Sequence, residues 1–412
     1  MLAKDQIIVG LEVGTTKVCA VVGEVTEGGT LTIIGVGQAQ SKGVRKGEII
    51  DVDAAVQSIN AAVAEAEDNA GVEIHNVNVA VSGGHIRSFN NRGTVAVTNE
   101  EREIGAVDVQ NVMNNAKAVS IPMEHVVVHA IRQHFFVDGH DGITNPVGMT
   151  GTKLEADVHV IHGVRSRLQN TIRCVKRVPL DIQNIAVSSF ASALSVLTSE
   201  QQQLGAVVID MGGGTTDYIV YVAGTVQHSG VLAVGGDHLT NDIAIGLTLP
   251  VNKAEHLKVE HGSVNWTDEM PDGVISFKRE VGLPDRQVSR AQLCRIMHLR
   301  VEETLSLIKK DLDKQKLLDL IGAGVFMTGG CARLQGIEAL ASNVFGVPVH
   351  ICHNSNVGGP TAAIESPEYS TAIGLLRYAM YSQRDRHAPP TTMGRLGKAF
   401  HEIVAKVRAL FM

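Results

Sequence analysis

The chain has 412 residues, of which 44% are hydrophobic and 19% charged, and Lys+Arg 36 against Asp+Glu 43 leaves a net charge of -7. That balance can fill a sizeable core over two or three domains; it excludes a largely disordered chain and leaves no basic footprint for nucleic acid. The five cysteines are odd in number and form no CxxC pair, so neither a disulfide framework nor a thiolate zinc site is expected. The first residues lack a basic and then apolar leader, and no apolar run approaches the roughly 18 residues that span a bilayer. The expectation is a cytoplasmic chain that does not cross a membrane.

In chain order, an apolar run at Ile7–Val13 ends in Gly14-Thr15-Thr16 and is followed by β-rich segments at 18–25 and 31–37. Apolar residues every three or four positions predict a helix over 53–70, and Val77, Val79 and Val81 alternate as in a strand. Helices are expected at 108–117 and 166–177, with a strand at 155–161. The opening pattern then returns: Ala206–Met211, the turn Gly212-Gly213-Gly214-Thr215-Thr216, and β-rich segments at 218–222 and 225–234. Strand, Gly/Thr turn, strand, strand, once per half, predicts two related domains facing each other. Long helices are expected at 253–261, 289–316 and 334–345, and 262–286, with Pro271 and Pro284, reads as a surface excursion. The segment 382–392 has few large apolar residues and reads as a flexible linker before one last helix at 393–412.

The two Gly/Thr turns carry the chemistry. Glycine lets backbone N–H groups approach an anion, threonine hydroxyls add donors, and a carboxylate at the strand end can hold hydrated magnesium. Glu12 with Gly14, Thr15, Thr16 and Lys17 supplies that set once; Asp210 with Gly212, Gly213, Gly214, Thr215, Thr216 and Asp217 supplies it again. Lys17 is a candidate point charge for a phosphate. Neither turn is a Walker A sequence, and one alone would read as a hairpin, but the matched pair favours a phosphate cleft. A further pair, Gly329-Gly330, ends an apolar strand where a nucleoside can approach the backbone.

Residues 10–17, 210–217, Gly329-Gly330 and a closing helix at 369–378 resemble, in that order, the actin/heat-shock chaperone/sugar kinase superfamily. Within it GLEVGTTKV, with Glu12 where most relatives have Asp, is similar to FtsA, a family of bacterial cell-division actins. So are 145–151, 235–244, 254–262 and 370–376. The resemblance implies an α/β, actin-like two-lobed ATPase fold with an inserted small α+β subdomain. Lobe I would comprise 1–82 and 166–204, the insert 83–165, lobe II 205–368, and the closing helix 369–381. It further implies ATP and Mg²⁺ as cofactors, adenosine held near Gly329, Gly330, Glu255 and Lys258, and Gly235-Gly236-Asp237 closing on the phosphates.

Hydrolysis needs a group that positions the attacking water. Relatives that turn ATP over well carry Glu or Gln where Ser188 aligns here, and serine is a poor base. ATP binding with slow or absent hydrolysis is therefore expected, with Asp210 the alternative residue for positioning water or magnesium. His125 with His129, and His159 with His162, lack an acidic or cysteine partner at ligand spacing, so metal binding there is disfavoured. The segment 138–142 reads as a turn, too short for a calcium loop.

On a helical wheel stepping about 100° per residue, Met393, Leu396, Phe400, Ile403, Val404, Val407, Leu410 and Phe411 fall within an arc of roughly 120°. Arg395, Lys398, Lys406 and Arg408 lie opposite with one carboxylate, the pattern of an interfacial membrane helix. Each cation near an anionic leaflet contributes about 1 kcal/mol, so one tail binds modestly and a polymer of tails binds with high avidity. With the resemblance, this implies a peripheral protein on the cytoplasmic face of the inner membrane at the division site. It would bind FtsZ, itself and later division proteins. A scaffold of type IV pilus assembly and a small-molecule kinase of the same superfamily remain the alternatives.

Overall fold

The structure is a computed structural model that describes residues 7–26, 29–269, 271–277, 286–354 and 357–387. The expected membrane helix at 393–412 lies outside the described residues, as does Pro284. Lobe I begins with an antiparallel meander of β1 (Ile7–Val13), β2 (Lys17–Val25) and β3 (Leu31–Gln40). A small hairpin, β4 (Val44–Arg45) and β5 (Glu48–Ile49), leads into α1 (Val52–Ala70). Asp51 caps α1 by accepting from Ala54 N–H, and Gly71 ends it in the left-handed region at φ 65°. The helix buries Ala55, Ile59, Ala62, Val63 and Ala66 on the sheet. Next, β6 (Asn76–Val81) runs parallel to β1.

The insert follows: β7 (Arg87–Ala96), α2 (Ala106–Lys117), β8 (His125–Val137), β9 (His140–Ile143) and β10 (Lys153–Val164). Its four strands order β7-β10-β8-β9 and pack on α2 around a core of their own that includes Ile104, Val112, Phe135, Leu154 and Val158. The chain returns to lobe I through α3 (Arg165–Arg177) and β11 (Asp181–Val187), which completes the sheet order β11-β6-β1-β2-β3. The short helices α4 (Ser188–Val196) and α5 (Ser199–Leu204) cross to lobe II.

Lobe II opens with β12 (Ala206–Met211), β13 (Thr216–Val222) and β14 (Thr225–Leu232), again an antiparallel meander. Beyond α6 (Gly236–Gly246), α7 (Val251–His261), the hairpin β15 (Val274–Phe277) and β16 (Arg286–Ser289), and α8 (Arg290–Lys314), strands β17 (Gly324–Thr328) and β18 (Val349–Ile351) add in parallel. The order β14-β13-β12-β17-β18 reproduces that of lobe I strand for strand. The internal repeat read from the sequence is a repeat of topology. Helices α9 (Ile337–Phe345) and α10 (Thr361–Glu365) complete the lobe, and α11 (Ser370–His387) returns to lobe I.

Where the two lobes meet, α11 packs at van der Waals limits. A Cβ on Gly374 would lie 1.8 Å from the Ala191 carbonyl oxygen of α4, and one on Gly10 would lie 2.2 Å from that of Ala372. A single core joins Ile86 and Ile161 of the insert, Val187 and Phe190 of lobe I, Val208 and Ile219 of lobe II, and Leu375 of α11. Most element boundaries shift by a few residues from expectation, and three of the shifts have a clear cause. The helix expected at 289–316 yields its first residue to β16, and that expected at 334–345 starts at Ile337 after Gly336 turns at φ 88°. α11 continues through His387, with Ser382 buried, so residues 382–387 belong to the helix and not to a linker. Among the described residues no helix is long and apolar enough to cross a membrane.

Candidate functional site

The two Gly/Thr turns occupy equivalent places, β1–β2 in one lobe and β12–β13 in the other, and close with the same hydrogen bond. Gly14 N–H donates to Lys17 O at 3.0 Å, and Gly212 N–H donates to Thr215 O at 2.9 Å. They also meet face to face. A Cβ on Gly213 would stand 1.9 Å from Thr16 Oγ1, and one on Gly214 would stand 2.2 Å from Thr15 Oγ1. Only glycine permits that approach, and it brings backbone N–H groups and threonine hydroxyls from both lobes into one cleft.

Three carboxylates line the cleft between the turns. Glu12 sits at the end of β1, and among the described residues its buried Oε2 has no hydrogen-bond partner. Burial, reinforced by Asp210 and Asp217, pushes its pKa up to about 8 against the pull of Lys17. Asp217 on β13 is pushed up to about 7 by burial, although Ser82 of lobe I donates to its Oδ1 at 2.7 Å. Asp210 is raised as well, chiefly by burial. Its Oδ2 accepts from Ser192 of α4 at 2.5 Å and from Thr371 of α11 at 2.8 Å, so this carboxylate pins the two lobes together. Only Oδ1, packed under Gly329, is left for another role.

Such a set favours a cation. No group of three or more His, Cys, Asp or Glu side chains among the described residues is arranged to hold a metal by itself. Their donor set suits hydrated magnesium, for which Glu12 and Asp210 would be the carboxylates. Lys17 lines the cleft, but its ammonium donates to the Glu368 carbonyl at 2.5 Å and lies 4.1 Å from the centre of the Tyr369 ring. A phosphate would have to compete with that carbonyl.

Lobe II supplies the rest of the wall. Gly236 N–H donates to Gly212 O at 2.9 Å and Asp237 N–H to Gly213 O at 2.8 Å, so residues 235–237 brace the second Gly/Thr turn. A Cβ on Gly235 would lie 2.5 Å from Gly212 O. Lys258 on α7 pairs with Glu255 at 2.7 Å and donates to Thr240 Oγ1 at 2.9 Å. Gly329, at φ 83°, ends β17; a Cβ on Gly330 would meet nothing within 4 Å, so the backbone there borders open space. Gly236, Glu255, Lys258, Gly329 and Gly330, with the two turns and the three carboxylates, line a cavity of about 750 Å³, the size of a small-molecule site, whereas Gly235 and Thr216 lie outside its lining.

Ser188 lies on that wall, its hydroxyl donating to Val81 O at 3.4 Å. Ser82, Ser192 and Thr371 escaped the sequence reading because their partners are carboxylates more than 15 residues away. The one local hint was Ser82-Gly83-Gly84 following an alternating strand, since polar residues at the ends of parallel strands gather at such sites. The histidines of the insert stand apart from the cleft. His125 and His162 touch at 2.7 Å between their Nδ1 atoms, whereas His129 and His159 are buried hydrogen-bonding groups.

The chain is similar to proteins of known family. The family described as cell division protein FtsA matches residues 207–374, and the SHS2 domain inserted in FTSA matches residues 83–162. The chain is 37% identical over 380 residues to the cell division protein FtsA of Pseudomonas aeruginosa, covering 92% of this chain and 91% of that protein. It is 36% identical over 390 residues to its counterpart in Escherichia coli K12, covering 93% and 92%. Among solved structures, the PilM-PilN type IV pilus biogenesis complex aligns with a TM-score of 0.64 at 15% identity, over 90% of this chain and 98% of that one. MreB5 of Spiroplasma citri bound to ADP aligns with a TM-score of 0.56 at 14% identity, over 94% and 100%. At those identities the structural likeness is one of fold.

Proposed function

Since the chain belongs to the FtsA family of actin-like cell-division proteins, we propose that it binds ATP with magnesium in the interlobe cleft and works by assembly on the inner membrane. The observation that carries the nucleotide part is the pair of Gly/Thr turns meeting across the cleft beside Glu12 Oε2, which has no partner among the described residues. A fold neighbour, MreB5, was solved with ADP and with AMPPNP, which supports nucleotide occupancy of such a cleft. Adenosine would lie along Gly329-Gly330 toward Glu255 and Lys258, with its phosphates between the two turns. Hydrolysis would be slow or absent, because Ser188 stands where a Glu or Gln would position water.

In this reading the protein anchors the FtsZ ring to the membrane, polymerises, and helps recruit later division proteins. The anchor is the amphipathic stretch 393–412, with Phe400, Val404 and Phe411 on its apolar side and Lys398, Lys406 and Arg408 opposite. The pilus-scaffold alternative has only fold likeness at 15% identity, against 37% to a cell-division protein. The nucleotide reading is tested by titrating the full chain with Mg·ATP. Saturable binding is expected and should be lost in Gly213→Val, whose side chain would collide with Thr16. Absence of binding, or equal binding by the variant, would overturn it.

A further inference from the structure

The hairpin β4–β5 has a two-residue tip, Lys46-Gly47, with both residues in the left-handed region at φ 52° and 75°. That is the geometry of a tight hairpin turn, and it aims the tip out of the strand pair. The hairpin is fixed at its base, where Ile50 N–H donates to Gly43 O at 2.8 Å, and at its side, where Arg167 of α3 pairs with Glu48.

The tip touches both phosphate turns. Gly47 N–H donates to Thr15 Oγ1 of the first turn at 3.0 Å. Against the second turn, a Cβ on Gly214 would lie 2.9 Å from Lys46 Cα. Gly47 itself lines the cleft. Its back rests on the root of the insert, since a Cβ on Gly47 would stand 3.1 Å from Gly83 N.

We infer that Gly47 is a positioning residue of the phosphate site, which sets the direction of the Thr15 hydroxyl. The reason lies in the valence of a hydroxyl, which has one hydrogen to donate and two lone pairs. When Gly47 N–H occupies a lone pair of Thr15 Oγ1, the hydroxyl hydrogen is left to point into the cleft, where an anionic phosphate oxygen accepts it. The same contact holds the Thr15 hydroxyl beside Gly214, so the hairpin tip keeps the two turns in register. This inference rests on the nucleotide reading of the cleft and deepens it: the ligand class the tip serves is the phosphate chain, not the nucleoside.

The test separates the two. Full-length Gly47→Val carries a β-branched side chain at positive φ, where such residues are strained, and this displaces the tip. Gly47→Asn tolerates the left-handed region and keeps its N–H. Binding of Mg·ATP, Mg·ADP and adenosine is measured for each variant. Gly47→Val should weaken both nucleotides about tenfold, the loss of one hydrogen bond to a charged group, while adenosine binds as before. Gly47→Asn should stay close to the parent protein. The inference is overturned if Gly47→Val binds Mg·ATP like the parent, or if it loses adenosine to the same degree. Failure of the parent protein to bind Mg·ATP would instead overturn the nucleotide reading itself.

Discussion

Single side chains decide what chemistry the cleft can carry. The three carboxylates that line it, Glu12, Asp210 and Asp217, are all raised by burial, with Asp210 held on one oxygen by Ser192 and Thr371 and Asp217 held by Ser82. Water positioning would fall to position 188, and a serine hydroxyl that donates to Val81 O cannot accept a proton at neutral pH as a carboxylate can. Ser188→Glu should therefore raise the steady-state ATPase rate by about a hundredfold, the lower end of the usual range for a general base. An unchanged rate with intact Mg·ATP binding would remove Ser188 as the cause of slow turnover. The glycines and threonines of the site were legible because their repetition is written in the chain. The tie between Asp210 and α11 was not, because Thr371 lies 161 residues away and only the folded chain brings it near.

At the scale of elements, matched meanders place the two turns at corresponding strand ends, and that much followed from the repeat of apolar run, Gly/Thr turn and β-rich segments in the two halves. How the insert attaches did not follow. It is joined through buried imidazoles: His159 of β10 lies between Asn90 Oδ1 at 2.7 Å and Ser229 Oγ of β14 at 2.9 Å, and His129 of β8 accepts from Val187 N–H of β11 at 3.1 Å. The sequence reading saw both histidines only as weak metal candidates, since spacing along a strand says nothing of what lies across it. Protonating His129 would set an N–H against the Val187 N–H. Burial accordingly draws both pKa values down to about 3, with His228 adding to the effect at His159. In the unfolded chain they titrate near 6.5, so below that pH the unfolded state binds more protons. Their contribution to stability is whole above about 6.5 and declines as pH falls from there toward 3. Urea midpoints measured from pH 7.5 to 5 should fall on acidification, with a shallower decline in His129→Gln and His159→Gln. Parallel declines in all three proteins would show that these imidazoles are not the linked groups.

For the whole molecule, the proposed function links the interlobe cleft to membrane attachment, and α11 is the element that leads from one toward the other in sequence. That helix starts at the cleft, where Thr371 donates to Asp210, and its described residues end at His387, with residues 388–392 between it and the amphipathic stretch 393–412 of the sequence. Its length was underestimated from the sequence because residues 382–387 are polar, although Ser382 turns inward and is buried. A truncation meant to remove the tail and spare the body therefore ends at His387; one ending at Tyr381 would expose what Ser382 covers. The most direct measurement is co-pelleting with anionic liposomes, with and without Mg·ATP, of the full chain and of the chain ending at His387. The account predicts that only the full chain pellets, more with Mg·ATP than without, and less in high salt because cations on the tail meet the leaflet. If the shortened chain pellets equally well, or if neither pellets, attachment by residues 393–412 is contradicted.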